Sequence, residues 1–439
     1  MLIVHNERIL DLLKSSYTLE DIQKIVAFLA GQHTFDFPTL ATGLFPAAIL
    51  DGDTAYTGYA NVWVRDNIHI AHAHYVLGRV DAARTNAQAL MTYFQKYKWR
   101  FERIIDAEAD PQHPMNRPHI RFDGNNLKEL VQTWPHAQND ALGYFLWFYC
   151  TLIGDHCINP TPVDVETLAL FPLYFQAIQY WQDQDSGHWE ETRKIEASSI
   201  GTVIAGLKSL KQLYKEPAFV CHRCQYQAQI VTPQLLDDLI VQGTTALEQI
   251  LPAECIQPDL AQNRRYDAAL LFLIYPLQII SDQIADQILA DVLNNLKRGH
   301  GICRYLGDSY WFADYKQTLA QEKRTADFSN NMTTRDACLQ AGEEAQWCIF
   351  DPIVSIIFGI KFQQTHQQQY LHAQIQHLNR SLGQLTGTES EFGAFKCPEL
   401  YYLEAGKYVP SDATPLLWTQ ANVAIALKMM EQSLAIDHQ

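Results

Sequence analysis

The stretch WEETRKIEASSIGTVIAGL, from Trp189 to Leu207, decides how the chain is read. It opens on an aromatic and two acids, and closes on a run of small and apolar residues with no polar face. A helix apolar all round is one that lies buried. Five further segments repeat the pattern of an aromatic or charged cluster followed by an all-apolar helix. They begin at Trp63 (WVRDNIHIAHAHYVLG), Trp134 (WPHAQNDALGYFLWFYCTLIG), Asn263 (NRRYDAALLFLIYPL), Glu343 (EEAQWCIFDPIVSIIFGI) and Thr414 (TPLLWTQANVAIAL).

Between them lie six segments with one-sided helical periodicity. The first opens on the capping pair Thr18 and Asp21 and runs to about Gly31, with Ile22, Ile25, Val26 and Leu29 on one face. The others span Ala82 to Lys98, Val165 to Gln182, Pro233 to Ile250, Asp282 to Lys297 and Thr365 to Leu382. Alternating one-sided and fully apolar helices predict two concentric rings, an all-α (α/α)6 barrel. Consecutive helices are antiparallel in such a barrel. All six inner helices therefore point the same way, and their N-terminal clusters meet on one rim. No Pro/Gly/Ser-rich linker divides the 439 residues, so a single domain over 1–439 is expected.

A formal charge of -16 argues against a nucleic-acid partner, because phosphate binding draws on a surplus of Lys and Arg. The opening MLIVHNERIL lacks a basic region with a sustained apolar run, and no apolar stretch reaches membrane-spanning length, so a cytoplasmic protein without membrane contact is expected. Nine scattered cysteines read as thiols of a reducing compartment. Only Cys221 and Cys224 have ligand spacing, and a lone pair does not make a zinc site. Neither metal nor cofactor is expected.

Aromatics, arginines and carboxylates on one rim suit sugar rings, whose CH faces stack and whose hydroxyls take charge-assisted hydrogen bonds. Glycoside hydrolysis uses two carboxyl groups, one as acid and one as base or nucleophile. Glu190 and Glu191 offer the acid: packing on Trp189 and a neighbouring like charge would both raise a carboxyl's pKa. Two acids in a first turn also complement a helix dipole. Glu399, after a proline in FKCPELYYLEAGKYVPSDATPLLW, offers the second carboxylate, and reads equally as a loop acid. Arg65 with Asp66 also fits a local ion pair, Arg304 in GICRYLGDSYW a surface arginine, and the tryptophans Trp63, Trp134, Trp347 and Trp418 plain core.

At these residues the chain resembles the glucoamylase-type glycoside hydrolases, and equally the glucoamylase-like domain of phosphorylase kinase α and β subunits. Tyr59, Trp63, Arg65 and Asp66 resemble a substrate-gripping YxxxWxRD motif, and Trp134 to Asp140 the next aromatic motif. Trp189-Glu190-Glu191 resembles the WEE motif, which implies Glu190 as general acid and Glu191 as a substrate ligand. Arg304, Trp347, Tyr401 and Trp418 fall at sugar-binding positions, and Glu399 at that of the general base. The resemblance implies an inverting, exo-acting α-glucosidase that releases glucose from α-glucans or gluco-oligosaccharides. It departs at Leu400, where hydrolytic relatives carry a water-holding glutamine and the kinase-subunit form is PELYY, so Leu400→Gln is expected to raise turnover. The kinase likeness also implies an alternative, a glucan-sensing regulatory protein with little or no catalysis.

Overall fold

The computed structural model describes residues 2–50 and 52–437; positions 1, 51, 438 and 439 of the expected 1–439 domain lie outside the described residues. Twelve helical elements among them alternate between outer and inner positions. The outer helices are α1 (Leu19–Gly31), α3 (Val80–Lys96), α5 (Pro162–Ile178), α7 (Pro233–Ile250), α9 (Asp282–Asn295) and α11 (Gln368–Gly383). The inner ones are α2 (Val64–Val76), α4 (Asn139–Gly154), α6 (Ala197–Gln212), α8 (Leu271–Ile274), α10 (Phe350–Thr365) and α12 (Leu417–Asp437). Contacts run α2 to α4, α6, α8, α10 and α12, and α12 returns to α2, so the inner ring closes. This is the (α/α)6 barrel that the alternation predicts.

Four of the six outer helices start on hydroxyl caps: Thr18 and Thr161 form capping boxes with Asp21 and Asp164, and Thr232 and Ser281 cap α7 and α9. The N-cap residues of α2, α4, α6 and α10 (Trp63, Gln138, Glu196 and Ile349) make no side-chain cap. Acids from neighbouring loops serve two of these ends instead: Asp185 accepts from Asn139 N at 2.8 Å and Glu254 from Ser198 N at 3.3 Å. The inner helix ends are thus tied to the rim loops.

The small residues of ASSIGTVIAGL allow a close crossing of α4 and α6. A Cβ on Gly143 would lie 2.7 Å from the Thr202 carbonyl carbon, and one on Gly206 would lie 2.9 Å from Gly143 O. Alanine at either site would push the helices apart.

The fourth inner element is shorter than its apolar run suggests. A 3₁₀ turn at Ala268–Leu270 leads into a single α turn, α8, which ends before Tyr275. Pro276 is the cause, since it lacks an N–H and disfavours helix at the residue before it.

Two small antiparallel sheets stand on the rim. One joins β1 (Val62–Trp63), β2 (Arg121–Asp123) and β3 (Lys128–Glu129), with Trp63 opposite Arg121. The other joins β4 (Gln346–Trp347), β5 (Leu400–Glu404) and β6 (Lys407–Pro410), with Trp347 opposite Leu400. Each sheet fixes a tryptophan just before an inner helix.

Candidate active site

A cavity of about 840 Å³, counted to its open mouth, lies at the N-terminal ends of the inner helices. Tyr59, Trp63, Arg65, Asp66, Trp134, Trp189, Glu190, Arg304, Trp347, Glu399 and Trp418 all line it. Residues from five of the six rim segments thus meet, as the barrel requires.

Glu190 sits in the turn before α6, in the left-handed region at φ 59°, unusual for a residue with a side chain. Its Oε1 accepts from Trp63 Nε1 at 2.9 Å and from Gln138 Nε2 at 3.1 Å. Glu399 follows Pro398 into β5. Its Oε1 accepts from Tyr59 Oη at 2.8 Å and its Oε2 from Ser411 Oγ at 3.2 Å. The two carboxyl groups, from segments 190 and 399, are therefore each held by an aromatic side chain of one short segment. Tyr59 and Trp63 stand four residues apart with ring centroids at 5.2 Å.

Burial pushes the Glu399 carboxyl up to about 8, only partly opposed by the hydrogen bonds from Tyr59 and Ser411 and the charge of Arg304. Burial likewise lifts Asp66 to about 7, against the pull of Arg65 and with the Glu190 charge adding to the rise.

The arginines are held from behind. Arg65 Nε donates to Asp140 Oδ2 at 2.6 Å, and its Nη2 donates to Gln138 Oε1 at 2.6 Å and Gly187 O at 3.0 Å. Arg304 forks onto Asp308 at 2.7 and 2.6 Å, its guanidinium 4.6 Å from the Trp347 ring, 5.0 Å from Trp189 and 5.2 Å from Tyr310. These paired carboxylates fix both guanidiniums in the cavity wall.

Three expected ligands lie elsewhere. Asp140 is fully buried behind Arg65, so it positions the arginine and does not line the cavity. Glu191 diverges from Glu190 and takes Arg264 at 2.7 Å, Lys194 at 3.5 Å and the Tyr305 hydroxyl. Burial opposes its ionisation, but Arg264, Lys194 and Arg304 outweigh it and hold its carboxyl well below the usual range. Tyr401 points away: its hydroxyl donates to Gln384 O at 2.9 Å and its ring stacks on His5 at 3.8 Å. Leu400 is fully buried in the core and does not line the cavity. Trp189 lines the cavity, with its Nε1 donating to Asp267 at 2.9 Å, and Glu190 takes its hydrogen bonds from Trp63 and Gln138.

Several further residues contribute to the site. Gln138 touches both Glu190 and Arg65, and Tyr310 Oη lies 3.0 Å from Tyr59 Oη. Both fall inside the quoted aromatic runs. Thr325, Ala326, Asp327, Phe328 and Arg335 also line the cavity, from a stretch with no helical periodicity to mark it. Among the described residues no three His, Cys, Asp or Glu side chains are grouped to hold a metal.

The profile of the family described as glycosyl hydrolases family 15 matches residues 22–392. The chain belongs to this family. The family match ends before Glu399, whose place in the cavity rests on the fold itself. A solved wild-type glycosidase is similar to this family 15 chain at a TM-score of 0.63 and 15% identity, over 94% of this chain and 97% of that one. A glucoamylase from Saccharomycopsis fibuligera is similar at 0.58 and 12%, over 96% and 97%. At such identities the likeness establishes the fold. A probable phosphorylase b kinase regulatory subunit alpha from Caenorhabditis elegans is 24% identical over 423 residues, covering 88% of this chain. The chain spans about a third of that subunit's length, 32%.

Proposed function

We propose that this family 15 chain is an inverting, exo-acting α-glucosidase that cuts glucose from the non-reducing end of an α-glucan or gluco-oligosaccharide. The observation that carries the reading is the pair Glu190 and Glu399 in one cavity, each held by a donor of the Tyr59 to Trp63 segment. Glu190 gives its proton to the glycosidic oxygen as the bond to the anomeric carbon breaks. Glu399, ionised, takes a proton from the water that attacks the opposite face. Asp66 and the arginines Arg65 and Arg304 bind hydroxyls, while Trp63, Trp134, Trp189, Trp347 and Trp418 supply apolar faces. Asp140 and Glu191 hold Arg65 and Arg264 in place, one layer behind the cavity wall.

We place the protein inside the cell as a single barrel. All nine cysteines are free thiols, as a reducing compartment leaves them. No helix among the described residues is long and apolar enough to cross a membrane.

A second reading, glucan sensing without turnover, is favoured by Leu400. The residue after the base faces the core and holds no water, and the sequence likeness includes a kinase regulatory subunit. Glucose release from maltose, maltotriose, isomaltose, trehalose and glycogen decides between them, with the product anomer read by NMR. Release of β-glucose, lost in Glu190→Gln on these substrates yet kept on α-glucosyl fluoride, supports the hydrolase. Release of α-glucose refutes inversion, and binding without release establishes the sensor.

A further inference from the structure

The rim segment between α9 and α10, residues 296–349, does more than carry Arg304 and Trp347 to the cavity. In a closed ring of six inner elements, this fifth connection neighbours the fourth and the sixth. It touches the sixth as expected, through Lys316 with Asp412 and Gln317 Nε2 to Glu404 Oε1 at 2.8 Å. It also reaches both connections that are two places away. Gln321–Lys323 packs on the Ala55–Thr57 turn of the first connection, and the Arg324 guanidinium lies 5.7 Å from the Tyr56 ring there. On the other side, Met332 Sδ accepts from the backbone N–H of Thr192 at 3.4 Å, two residues past Glu190 in the third connection. A segment that reaches past its neighbours on both sides runs as a chord across the central opening.

The chord is fastened at several points. Arg324 Nη2 donates to Lys316 O at 2.9 Å, and Tyr315 Oη donates to Arg324 O at 3.0 Å. Arg335 Nε donates to Ser309 Oγ at 2.9 Å, and its guanidinium lies 5.0 Å from the Phe328 ring. Between these anchors, Thr325 to Phe328 face the cavity.

We infer that this chord is a roof that confines the enzyme to short gluco-oligosaccharides, and that Asp327 and Phe328 contact the sugar on the leaving side of the cut bond. The inference rests on the hydrolase reading for its substrate class. A glucose unit at a chain end enters the pocket, but the units that follow must leave beneath or beside the chord. A linear di- or trisaccharide has few such units. A branched polymer brings bulk on every side, and meets the roof. Phe328 offers an apolar face and Asp327 a carboxylate acceptor, the pair of surfaces a pyranose uses.

The test compares maltotriose with glycogen, per non-reducing end. It measures kcat/KM in the wild type and in Phe328→Ala and Asp327→Asn. It also measures dissociation constants by calorimetry in Glu190→Gln, which needs no turnover. The wild type should favour maltotriose about tenfold or more, a discrimination of the size that steric exclusion of bulk supplies. Phe328→Ala should lose about two- to tenfold on maltotriose, the value of one aromatic face, and little on glycogen. Thermal melts separate a loosened chord from a lost sugar contact: Asp327→Asn, which keeps an Oδ1 for Ser329 N, should melt like the wild type, whereas Phe328→Ala also removes the ring beside Arg335. Glycogen ends cut or bound as readily as maltotriose overturn the roof, as does an unchanged maltotriose constant in both variants. Loss of hydrolysis with the binding preference intact would refute the hydrolase reading and leave the roof standing.

Discussion

Glu399→Gln should make the protein more stable in alkali and less active at every pH, and the two effects should mirror one another. The carboxyl is pushed up to about 8 from an ordinary 4.5 by burial. Below about pH 4.5 it is protonated in both folded and unfolded chains, and its contribution to stability is fully present. As the pH rises toward 8 the unfolded carboxyl ionises while the folded one keeps its proton. Stability then falls, and levels off above the folded value. A shift of this size sets a ceiling of about 5 kcal/mol, and water entering an open cavity should bring the loss to about 2–4 kcal/mol. The neutral glutamine has no such dependence. Urea unfolding of wild type and Glu399→Gln from pH 5 to pH 9 should therefore diverge by that amount, the variant becoming the more stable. In the same window the base ionises, so wild-type kcat/KM should climb with an apparent pKa near 8. A stability difference that stays constant between pH 5 and pH 9 would refute the claim that burial governs this carboxyl.

Tyr59→Phe removes the donor that partly offsets that burial. It should move the rising limb of the pH profile about one to two units further into alkali, the worth of a hydrogen bond to a charged group. Gly187→Ala should cost about 1–3 kcal/mol in urea melts and lower kcat. The residue sits at φ 54°, a Cβ would fall 1.5 Å from Glu196 Oε2, and its carbonyl holds Arg65. Leu400→Gln, expected from sequence to raise turnover, should instead lose about 1–3 kcal/mol of stability without a gain in kcat, because it buries an amide in the core away from the cavity.

The ring was legible because burial leaves a periodic trace. Six apolar runs alternate with six one-sided ones, and this alone gives the closed ring from α2 to α12. The trace overstated α8, where Leu271 to Leu277 is apolar throughout but Pro276 ends the helix. Cavity residues were legible where a motif marked the approach to an inner helix, as with Arg65 and Glu190. Adjacency misled where backbone geometry turned two neighbours apart. Glu190 and Glu191 look like one acidic unit, yet the positive φ at Glu190 sends one into the cavity and the other onto Arg264. Tyr401 failed similarly, because a position two residues past Glu399 says nothing of which face its ring takes. The chord from Thr325 to Phe328 left no periodic signal at all, since irregular local hydrogen bonds and distant contacts hold it, such as Arg324 with Lys316 and Thr192 with Met332 at a separation of 140.

The pairing of Tyr59 with Glu399 and of Trp63 with Glu190 makes that short segment a jig. The acid and the base ride on different parts of the barrel, and ring motions would change the gap between them. Clamping both to side chains four residues apart makes the gap a local length of chain. The barrel is thus free to flex, or to accumulate substitutions in its outer helices, without detuning the spacing on which an in-line attack by water depends.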